Sequence, residues 1–460
     1  MGRVRKVLVA TWDGGGNIPP TAALAGAMVA RGDEVVVLGH RTTRAAFERA
    51  GCRFVEWAST SQPRNAREFM PPAEDLAYAM EHVVYNTSYQ ADLRPAIEDM
   101  APDVVLVDVM LNYAIVESLR SQAPLWVLCH VVYFLMARGD DVTRPRFAEL
   151  ARTAARDGVP EFLSQRALLD MADGVVVTSY EGLDPLPAGD VGPNVLHVGP
   201  SRPPRASSSR WQRRSPDKKL VLVSLSTSAQ TQAPLLQRLC DACGQLDVEA
   251  LVTTGPSLAS DALVSAANVT AVDFVDHGDV LPHADLEVTH AGLGTVLAAL
   301  AHGVPMLCTP LGRDQPFNAR RVAQLGLGMT IDKEATTDEL REAIRNMLDN
   351  PELKQKTVEF KESLSTHPGI DDALQAIDST ISTTPGRLLI WVSSNGTLGT
   401  GASGAIGWAL HWKWCGRQTS YQASTDRSIW SVVHVASNEA RTSEISSADG
   451  TNSSVGTSRS

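Results

Sequence analysis

A histidine followed by a glycine-rich turn is the first feature of this sequence that could do chemistry. The segment Leu286–Thr289 predicts a buried strand, His290, Gly292 and Gly294 follow it, and a helix is expected to begin at Thr295. Such a turn presents backbone N–H groups and a helix N-terminus, which together can hold a diphosphate. The turn therefore indicates an anion site, although an isolated turn of this kind is more often a plain strand-to-helix connection.

Polar side chains at two further strand ends favour the functional interpretation. Asp314 and Gln315 follow another predicted strand, and their acceptors and donors suit the hydroxyl groups of a sugar. Thr227 and Ser228 close the predicted strand Leu220–Leu225, where hydroxyls and free amides suit a phosphate. A capping turn could use the same hydroxyl residues for local hydrogen bonds.

An acidic residue also stands before three glycines near the start of the chain. Asp13 follows the predicted strand Val7–Thr11 and precedes Gly14–Gly16. A carboxylate in an open loop could accept a proton from a hydroxyl group, so Asp13 is a candidate general base. The loop lacks the Lys-Ser/Thr of a P-loop and the spacing of a dinucleotide motif. Its glycines are interpreted as keeping the floor of a cleft open.

Apolar strands and helices alternate through most of the chain, and this alternation predicts two parallel sheets. Val104–Val107 and Leu125–Leu128 are typical of strands that are covered on both faces. The stretch Gly199–Lys219 is rich in Pro, Ser and Arg and predicts an exposed connector. After it the alternation restarts and continues to a helix at Asp371–Ile381. We therefore expect an α/β protein with two doubly wound, Rossmann-like domains.

Composition excludes several classes of protein. Apolar residues make up 43% of the 460 residues and charged residues 20%, as in globular proteins, so wholesale disorder is excluded. The net charge of -11 argues against a nucleic-acid-binding surface, which needs clustered Lys and Arg. The six cysteines predict reduced core thiols, and no apolar run is long enough for a signal peptide or a membrane span. A cytoplasmic protein is expected.

Three segments in the second half carry a family resemblance. HAGLGT begins at His290, AHGVP at Ala301 and GRDQPxNA at Gly312. In this order and spacing they resemble the donor signature of glycosyltransferase family 1, the bacterial natural-product and UDP-glycosyltransferase-like enzymes. The resemblance extends from Lys6 to about Ile381. It implies a GT-B fold, in which two Rossmann-like domains face each other across a cleft, with inversion at the anomeric carbon and no metal requirement.

The resemblance also implies the division of the chain. Residues 1–199 would form the acceptor-binding domain, 200–219 the linker and 220–384 the nucleotide-sugar-binding domain. Residues 385–460 would be an unrelated tail, rich in Gly, Ser, Thr and Trp and partly disordered.

Roles for the donor-site residues follow from the same resemblance. His290 would contact the diphosphate, and Asp314 and Gln315 would grip the sugar. Phe274 stands where the family has a base-stacking Trp, and Val275 follows it. Phe keeps the aromatic face that stacking requires, whereas the alternative is an ordinary core aromatic. The remaining donor contacts in this interpretation are Thr227, Ser228, Gly292, Gly294 and Thr295.

Two departures from the family pattern matter. Ala298 stands where many relatives carry a Glu that binds the donor ribose, so a dTDP-sugar is open beside a UDP-sugar. Asn17 replaces the His or Asp that serves as general base, and an amide can only orient because it cannot accept a proton at neutral pH. Asp108 matches the Asp that orients the base, although a strand-end Asp can also cap a helix. Asp13 is therefore the preferred base, with Asp108 and His130 as further candidates, and the acceptor hydroxyl is expected to be activated near Asp13 and Asn17. Restoring an acid by Asn17→Asp is expected to be tolerated or even activating.

The sequence thus predicts an inverting, metal-independent glycosyltransferase without a cofactor. It would move a hexose from a nucleotide diphosphate sugar, the co-substrate, to a small apolar acceptor such as a natural product or a lipid. An alternative, motivated by Asn17, is a catalytically impaired GT-B partner of another glycosyltransferase. A sugar epimerase is a weaker alternative, because the donor segments supply no acids and bases around the sugar.

Overall fold

The computed structural model describes residues 4–60, 71–186, 190–200, 211–225, 232–255, 258–383, 390–392 and 398–400. Strands and helices alternate along these ranges, as the sequence predicts. The two large sheets that they build lie in one compact unit, Met1–Ala402. None of the helices in these ranges combines the length and the apolar character of a transmembrane segment.

Seven parallel strands form the first sheet. They are β1 (Lys6–Ala10), β2 (Glu34–Gly39), β3 (Arg53–Glu56), β4 (Val104–Asp108), β5 (Leu125–Cys129), β6 (Gly174–Val177) and β7 (Val195–His197). Their order in space is β3-β2-β1-β4-β5-β6-β7. The side chains of successive β1 residues pack on opposite faces of the sheet. Val7 and Val9 belong to the core on one face, and Leu8 and Ala10 belong to the core on the other. Both faces are covered, as a parallel sheet requires.

Six parallel strands form the second sheet. They are β8 (Lys219–Ser224), β9 (Val248–Thr253), β10 (Val269–Val272), β11 (Leu286–Thr289), β12 (Met306–Cys308) and β13 (Gly328–Thr330). Their order is β10-β9-β8-β11-β12-β13. In both sheets the order reverses next to the first strand, which is the doubly wound Rossmann arrangement. The predicted fold class is confirmed.

Helices connect the strands and cover the sheets. In the first half they are α1 (Ile18–Ala30), α2 (Arg44–Arg49), α3 (Pro72–Ala79), α4 (Ser88–Met100), α5 (Asn112–Leu119), α6 (Tyr133–Ala137), α7 (Pro145–Arg156) and α8 (Gln165–Asp170). In the second half they are α9 (Ala233–Gly244), α10 (His277–Val280), α11 (Leu293–His302), α12 (Gln315–Gln324), α13 (Thr337–Leu348), α14 (Pro351–Ser363) and α15 (Ile370–Thr383). A short antiparallel pair, β14 (Ile390–Val392) and β15 (Leu398–Thr400), follows.

The last long helix packs on the first sheet. Ala373, Leu374 and Ile377 of α15 are buried in the same core as Val7 and Val9 of β1. The sequence-based division groups this helix with residues 220–384, yet its apolar side lies among first-half residues. The boundaries of that division stay predictions, and most residues beyond 383 lie outside the described ranges.

The edges of the sheets differ from the sequence-based expectation. The sequence pattern does not predict β3 and β7, the two edge strands of the first sheet. β10 ends at Val272, so Phe274 lies beyond it. The five cysteines of the described ranges are free and buried, as expected of core thiols.

Candidate active site

The turn after β11 has the geometry of an anion site. α11 begins at Leu293, two residues before the expected start, because Gly292 caps it. Ala291 has a left-handed backbone with φ of 64°, which is uncommon for a residue with a side chain. Its N–H donates to Oγ1 of Thr289 at 3.2 Å. The amide end of α11, which contains Gly294, thus lies at the carboxyl edge of the second sheet.

His290 stands beside this helix end. Its ring lies so close to Gly292 that a Cβ there would meet Nε2 at 2.6 Å. Burial lowers the pKa of His290 to about 4, and the charges of His277 and Arg313 act in the same direction. The ring is therefore neutral at pH 7, and a neutral imidazole donates through one of its nitrogens. A hydrogen bond with the Ser224 backbone acts in the opposite direction on the pKa. The neutral ring has a single N–H, so His290 donates either to the Ser224 carbonyl or to a bound anion.

The polar pair at the start of α12 is tied to the same turn. Nδ2 of Asn318 donates to Oδ2 of Asp314 at 2.7 Å and to the carbonyl of Ala291 at 3.0 Å. Oε1 of Gln315 accepts the N–H groups of Leu311 and Gly312 at 2.8 and 2.9 Å. The Gln315 oxygen therefore holds the turn. The group that the pair offers a ligand is the Asp314 carboxylate.

Phe274 lies on the surface at the carboxyl end of β10. Its side chain is 70% exposed, which excludes the interpretation as a core aromatic. The next residue, Val275, is buried in the second-half core. An exposed ring on a buried anchor is available for stacking on a nucleobase. The predicted contacts Thr227 and Ser228 lie outside the described residues.

In the first half, the Asp108 carboxylate accepts hydrogen bonds from the loop after β1 and from its own loop. Its Oδ1 accepts from Nε1 of Trp12 at 3.2 Å and from the N–H of Met110 at 2.9 Å. Its Oδ2 accepts from Nδ2 of Asn17 at 2.9 Å and lies 3.2 Å from Nδ1 of His130. Both oxygens thus have two donors beside them, and the side chain is 1% exposed. A carboxylate in this state holds its neighbours in place.

Asn17 is buried and holds the loop after β1. Its Nδ2 donates to Oγ1 of Thr11 at 3.2 Å and to the carbonyl of Trp12 at 2.9 Å, besides the bond to Asp108. Its Oδ1 accepts the N–H of Gly14 at 3.1 Å. The side chain therefore orients the loop and the carboxylate, as the sequence predicts for an amide.

Asp13 points to a different set of partners. Its Oδ2 accepts from Oγ1 of Thr42 at 2.5 Å, and its N–H donates to Nδ1 of His40 at 3.2 Å. Burial lowers the pKa of His40 to about 4, which the charges of Asp13 and Glu56 only partly oppose. His40 is therefore a neutral acceptor for the Asp13 amide. The structure brings Asn17, Asp108 and His130 together and places Asp13 with the residues that follow β2.

His130 lies between the two halves of the cleft. Burial acts to lower its pKa, but the charge of Asp108, the interaction of Nδ1 with that carboxylate and the charge of Asp314 outweigh burial, and the pKa is raised. Asp314 belongs to the second half, so its field reaches His130 across the cleft. The side chain is 10% exposed.

The segment that follows β5 contacts the start of α12 directly. The rings of Phe134 and Phe317 are stacked, with centroids 5.5 Å apart. Val132 is buried in the second-half core. Phe134 is four residues after His130, and Phe317 is three residues after Asp314, so these contacts fix the two polar residues on facing walls.

Comparison with known proteins shows what the chain resembles. Residues 237–377 match the family model of the erythromycin biosynthesis protein CIII-like C-terminal domain. The chain is 25% identical to a 4'-demethylrebeccamycin synthase of Lentzea aerocolonigenes over 82% of this chain and 99% of the relative. The solved glycosyltransferase of kitacinnamycin has a TM-score of 0.69 at 24% identity and covers 82% of this chain and 99% of its own. The glycosyltransferase VinC, solved in complex with dTDP, has a TM-score of 0.64 at 19% identity, covering 82% and 99%. The chain has the GT-B fold and is similar over most of its length to natural-product glycosyltransferases.

The matched region of this glycosyltransferase contains the described donor residues from Phe274 to Gln315, and it does not contain Asp13, Asn17 or Asp108. The role of each side chain stays a prediction. Two polar residues of the site are missing from the sequence-based set. Asn318 lies one helical turn after Asp314, a spacing that could have predicted their contact. Trp12 gives no such signal, because its bond to Asp108 joins residues 96 positions apart.

Proposed function

We propose that this glycosyltransferase moves a hexose from a UDP- or dTDP-sugar to a small apolar acceptor, such as a natural product or a lipid. The observation that carries the proposal is the linkage of the anion turn to the sugar-facing carboxylate. Asn318 connects Ala291, next to His290, with Asp314. A diphosphate at the amide end of α11 would therefore have its sugar beside Asp314.

Leaving-group stabilisation would come from groups of the chain. The diphosphate gains negative charge as its bond to the sugar breaks, and helix amides together with the His290 N–H would stabilise that charge. In the described residues no group of three or more His, Cys, Asp or Glu side chains is placed to hold a metal ion. Because the helix amides and His290 would supply this stabilisation, we expect transfer to continue at an unchanged rate when EDTA is present.

Inversion would follow from the placement of the two substrates. The donor would be held by the second half and the acceptor by the first, so the hydroxyl would attack the anomeric carbon from the side opposite the diphosphate. A single displacement of this kind inverts the anomeric configuration. The anomeric proton coupling of the product, measured by NMR, tests this point.

The proposal includes both UDP and dTDP as the nucleotide of the donor because of the residue at position 298. Ala298 has only a methyl group, on a helix face that is 8% exposed, so it offers no hydrogen bond to a ribose hydroxyl. A solved structure of the same fold holds dTDP. Thermal shift with UDP, dTDP and their glucose conjugates identifies the nucleotide, because a ligand that binds only the folded protein raises the melting temperature.

The test of the proposed function uses two donor-site variants. We expect His290→Ala and Asp314→Ala to abolish transfer from the donor found by thermal shift, while the circular dichroism spectrum is retained. His290→Ala should weaken binding of the nucleoside diphosphate, whereas Asp314→Ala should weaken only the gain that the sugar adds. The exposed His283 serves as the matched control, and His283→Ala should behave as wild type.

Near-native activity of His290→Ala at limiting donor would contradict the assignment of the site. A wild-type protein that binds a nucleotide sugar but transfers to no acceptor in a panel of alcohols and phenols would favour the catalytically impaired partner instead.

A further inference from the structure

The cleft needs a group that removes the proton of the acceptor hydroxyl. Asn17, which replaces the base of related enzymes, is an amide whose Nδ2 and Oδ1 both make hydrogen bonds within the protein. Asp108 has two donors beside each oxygen and is buried. Neither side chain is free to take a proton from a substrate.

His130 is placed to take up the proton of the acceptor hydroxyl, and the atom that can accept it is Nε2. Its Nδ1 is buried 3.2 Å from Oδ2 of Asp108, and its Nε2 makes no hydrogen bond within the described part of the chain. A carboxylate beside Nδ1 fixes the ring and leaves Nε2 as the acceptor in the neutral form. The stacked pair Phe134 and Phe317 holds this segment against the second half, close to Asp314.

We propose that His130, held by Asp108, is the general base that activates the acceptor hydroxyl. This inference rests on the proposed function. As the acceptor oxygen bonds to the anomeric carbon, its proton passes to Nε2 of His130. The bond between the anomeric carbon and the diphosphate oxygen breaks, and the nucleoside diphosphate leaves with the electron pair. The imidazolium then returns its proton to solvent.

Asp108 and Asp314 support this step from both sides of the cleft. Both carboxylates stabilise the imidazolium, and among the described residues they are the charged groups that raise the pKa of His130. A raised pKa makes His130 a stronger base, but it also keeps the ring protonated to higher pH. The rate of transfer to an alcohol should therefore rise with pH through a midpoint above the ordinary histidine value of about 6.5.

Asp13 is the competing candidate, and its contacts separate it from this group. Its carboxylate accepts from Thr42 and interacts with His40, at the end of β2. It makes no hydrogen bond to Asp108, Asn17 or His130 in the described structure. A base at Asp13 would thus act without the carboxylate that orients His130.

The experiment compares His130→Gln, Asp13→Asn and wild type on an aliphatic alcohol and on 4-nitrophenol, which ionises near neutral pH without help. We expect His130→Gln to lower kcat on the alcohol by about 10²–10⁴-fold, the usual range for loss of a general base. The loss on 4-nitrophenol should be much smaller, and the thermal shift produced by the donor should be unchanged. His283→Ala is the control for a histidine change outside the cleft.

Asp108 is tested as a positioning residue through the pH profile. We expect Asp108→Asn to move the midpoint of the alcohol reaction to lower pH, since the imidazolium loses its neighbouring charge. NMR titration of His130 in the wild-type protein gives an independent readout that needs no turnover. Its midpoint should lie above the ordinary value and fall in Asp108→Asn.

Two results would overturn the inference while leaving the proposed function intact. One is wild-type kcat of His130→Gln on the alcohol, and the other is an Asp13→Asn variant that loses the alcohol reaction while His130→Gln keeps it. A His130 that titrates below the ordinary value also counts against the inference. A wild-type protein that binds no nucleotide sugar and transfers to no alcohol would overturn the proposed function, and the inference with it.

Discussion

Nδ2 of Asn17 donates hydrogen bonds to three oxygen atoms, which are Oδ2 of Asp108, Oγ1 of Thr11 and the carbonyl oxygen of Trp12. An aspartate at this position would direct a carboxylate oxygen at all three. The geometry therefore reverses the expectation that Asn17→Asp is tolerated.

We predict that Asn17→Asp destabilises the protein at pH 8, by on the order of 1–3 kcal/mol for the lost buried hydrogen bonds. The two adjacent carboxylates would share a proton, which raises their pKa in the folded state. The cost is then present above that pKa and disappears as the pH falls through it. Melting curves at pH 5 and pH 8 measure the difference.

The control for this prediction is Asn350→Asp. Asn350 is an exposed N-cap of α14, where Asp caps equally well. This variant should melt as wild type or slightly higher at pH 8. An Asn17→Asp variant that melts like wild type at pH 8 would show that the contacts of Nδ2 are not essential.

For individual residues, the sequence predicts the donor site better than the catalytic site. His290, Gly292 and Asp314 lie in local motifs, where a strand end, a glycine and a helix start fix the geometry within a few residues. The contacts of Asp108 join the ends of three strands, β1, β4 and β5, and no local pattern reports such distances. This is why the sequence favoured Asp13 as the base and left Asp108 and His130 only as further candidates.

The elements follow the sequence closely where strands are central. β4 and β5 are fully buried and read as apolar runs, because helices cover both of their faces. β3, with the sequence Arg-Phe-Val-Glu, is an edge strand with mixed burial, so its apolar signal is short. The start of α11 is shifted because a glycine cap leaves no side-chain signal.

An ion pair joins α3 of the first half to the turn before α12 of the second. Nε of Arg313, in the turn before α12, lies 2.7 Å from Oδ2 of Asp75 in α3, and Nη2 lies 3.3 Å from Oδ1. The side chains are 38% and 27% exposed, so solvent screens the pair. Arg313 has a φ of 56° and precedes the sugar-facing Asp314.

We predict that a double-mutant cycle with Asp75→Asn and Arg313→Gln gives a coupling of about 0.2–1 kcal/mol, as for other exposed pairs. The coupling should fall in 1 M salt, because the charges are screened. The KM for the donor should rise in both variants, since the turn before Asp314 loses an anchor. Glu149→Gln, which removes an exposed pair within α7, should leave that KM unchanged. A coupling that is insensitive to salt would contradict this account.

On the scale of the whole molecule, the last long helix, α15, follows the second sheet in the sequence but packs against the first sheet. Ala373 and Ile377 of α15 are fully buried in the core beneath β1, and Leu374 is nearly so. Asp378 forms ion pairs with Arg5 and Arg31 of the first half. The helix therefore links the two halves independently of the linker near residues 200–219.

We predict that truncation after Thr384 preserves folding and transfer, whereas truncation after Gly369 does not. The first change keeps α15. The second removes three buried apolar side chains, each worth about 1.5–3 kcal/mol for Leu or Ile and less for Ala. Typical proteins are stable by only about 5–15 kcal/mol, so this loss is a large share. Melting temperature and donor-induced thermal shift measure both variants.

Ile377→Ala in the full chain, with an expected cost of about 2–5 kcal/mol, separates lost packing from chain length. If the Gly369 truncation melts at the wild-type temperature, α15 contributes nothing to the first-half core, and if the Thr384 truncation aggregates, residues beyond it belong to the folded unit.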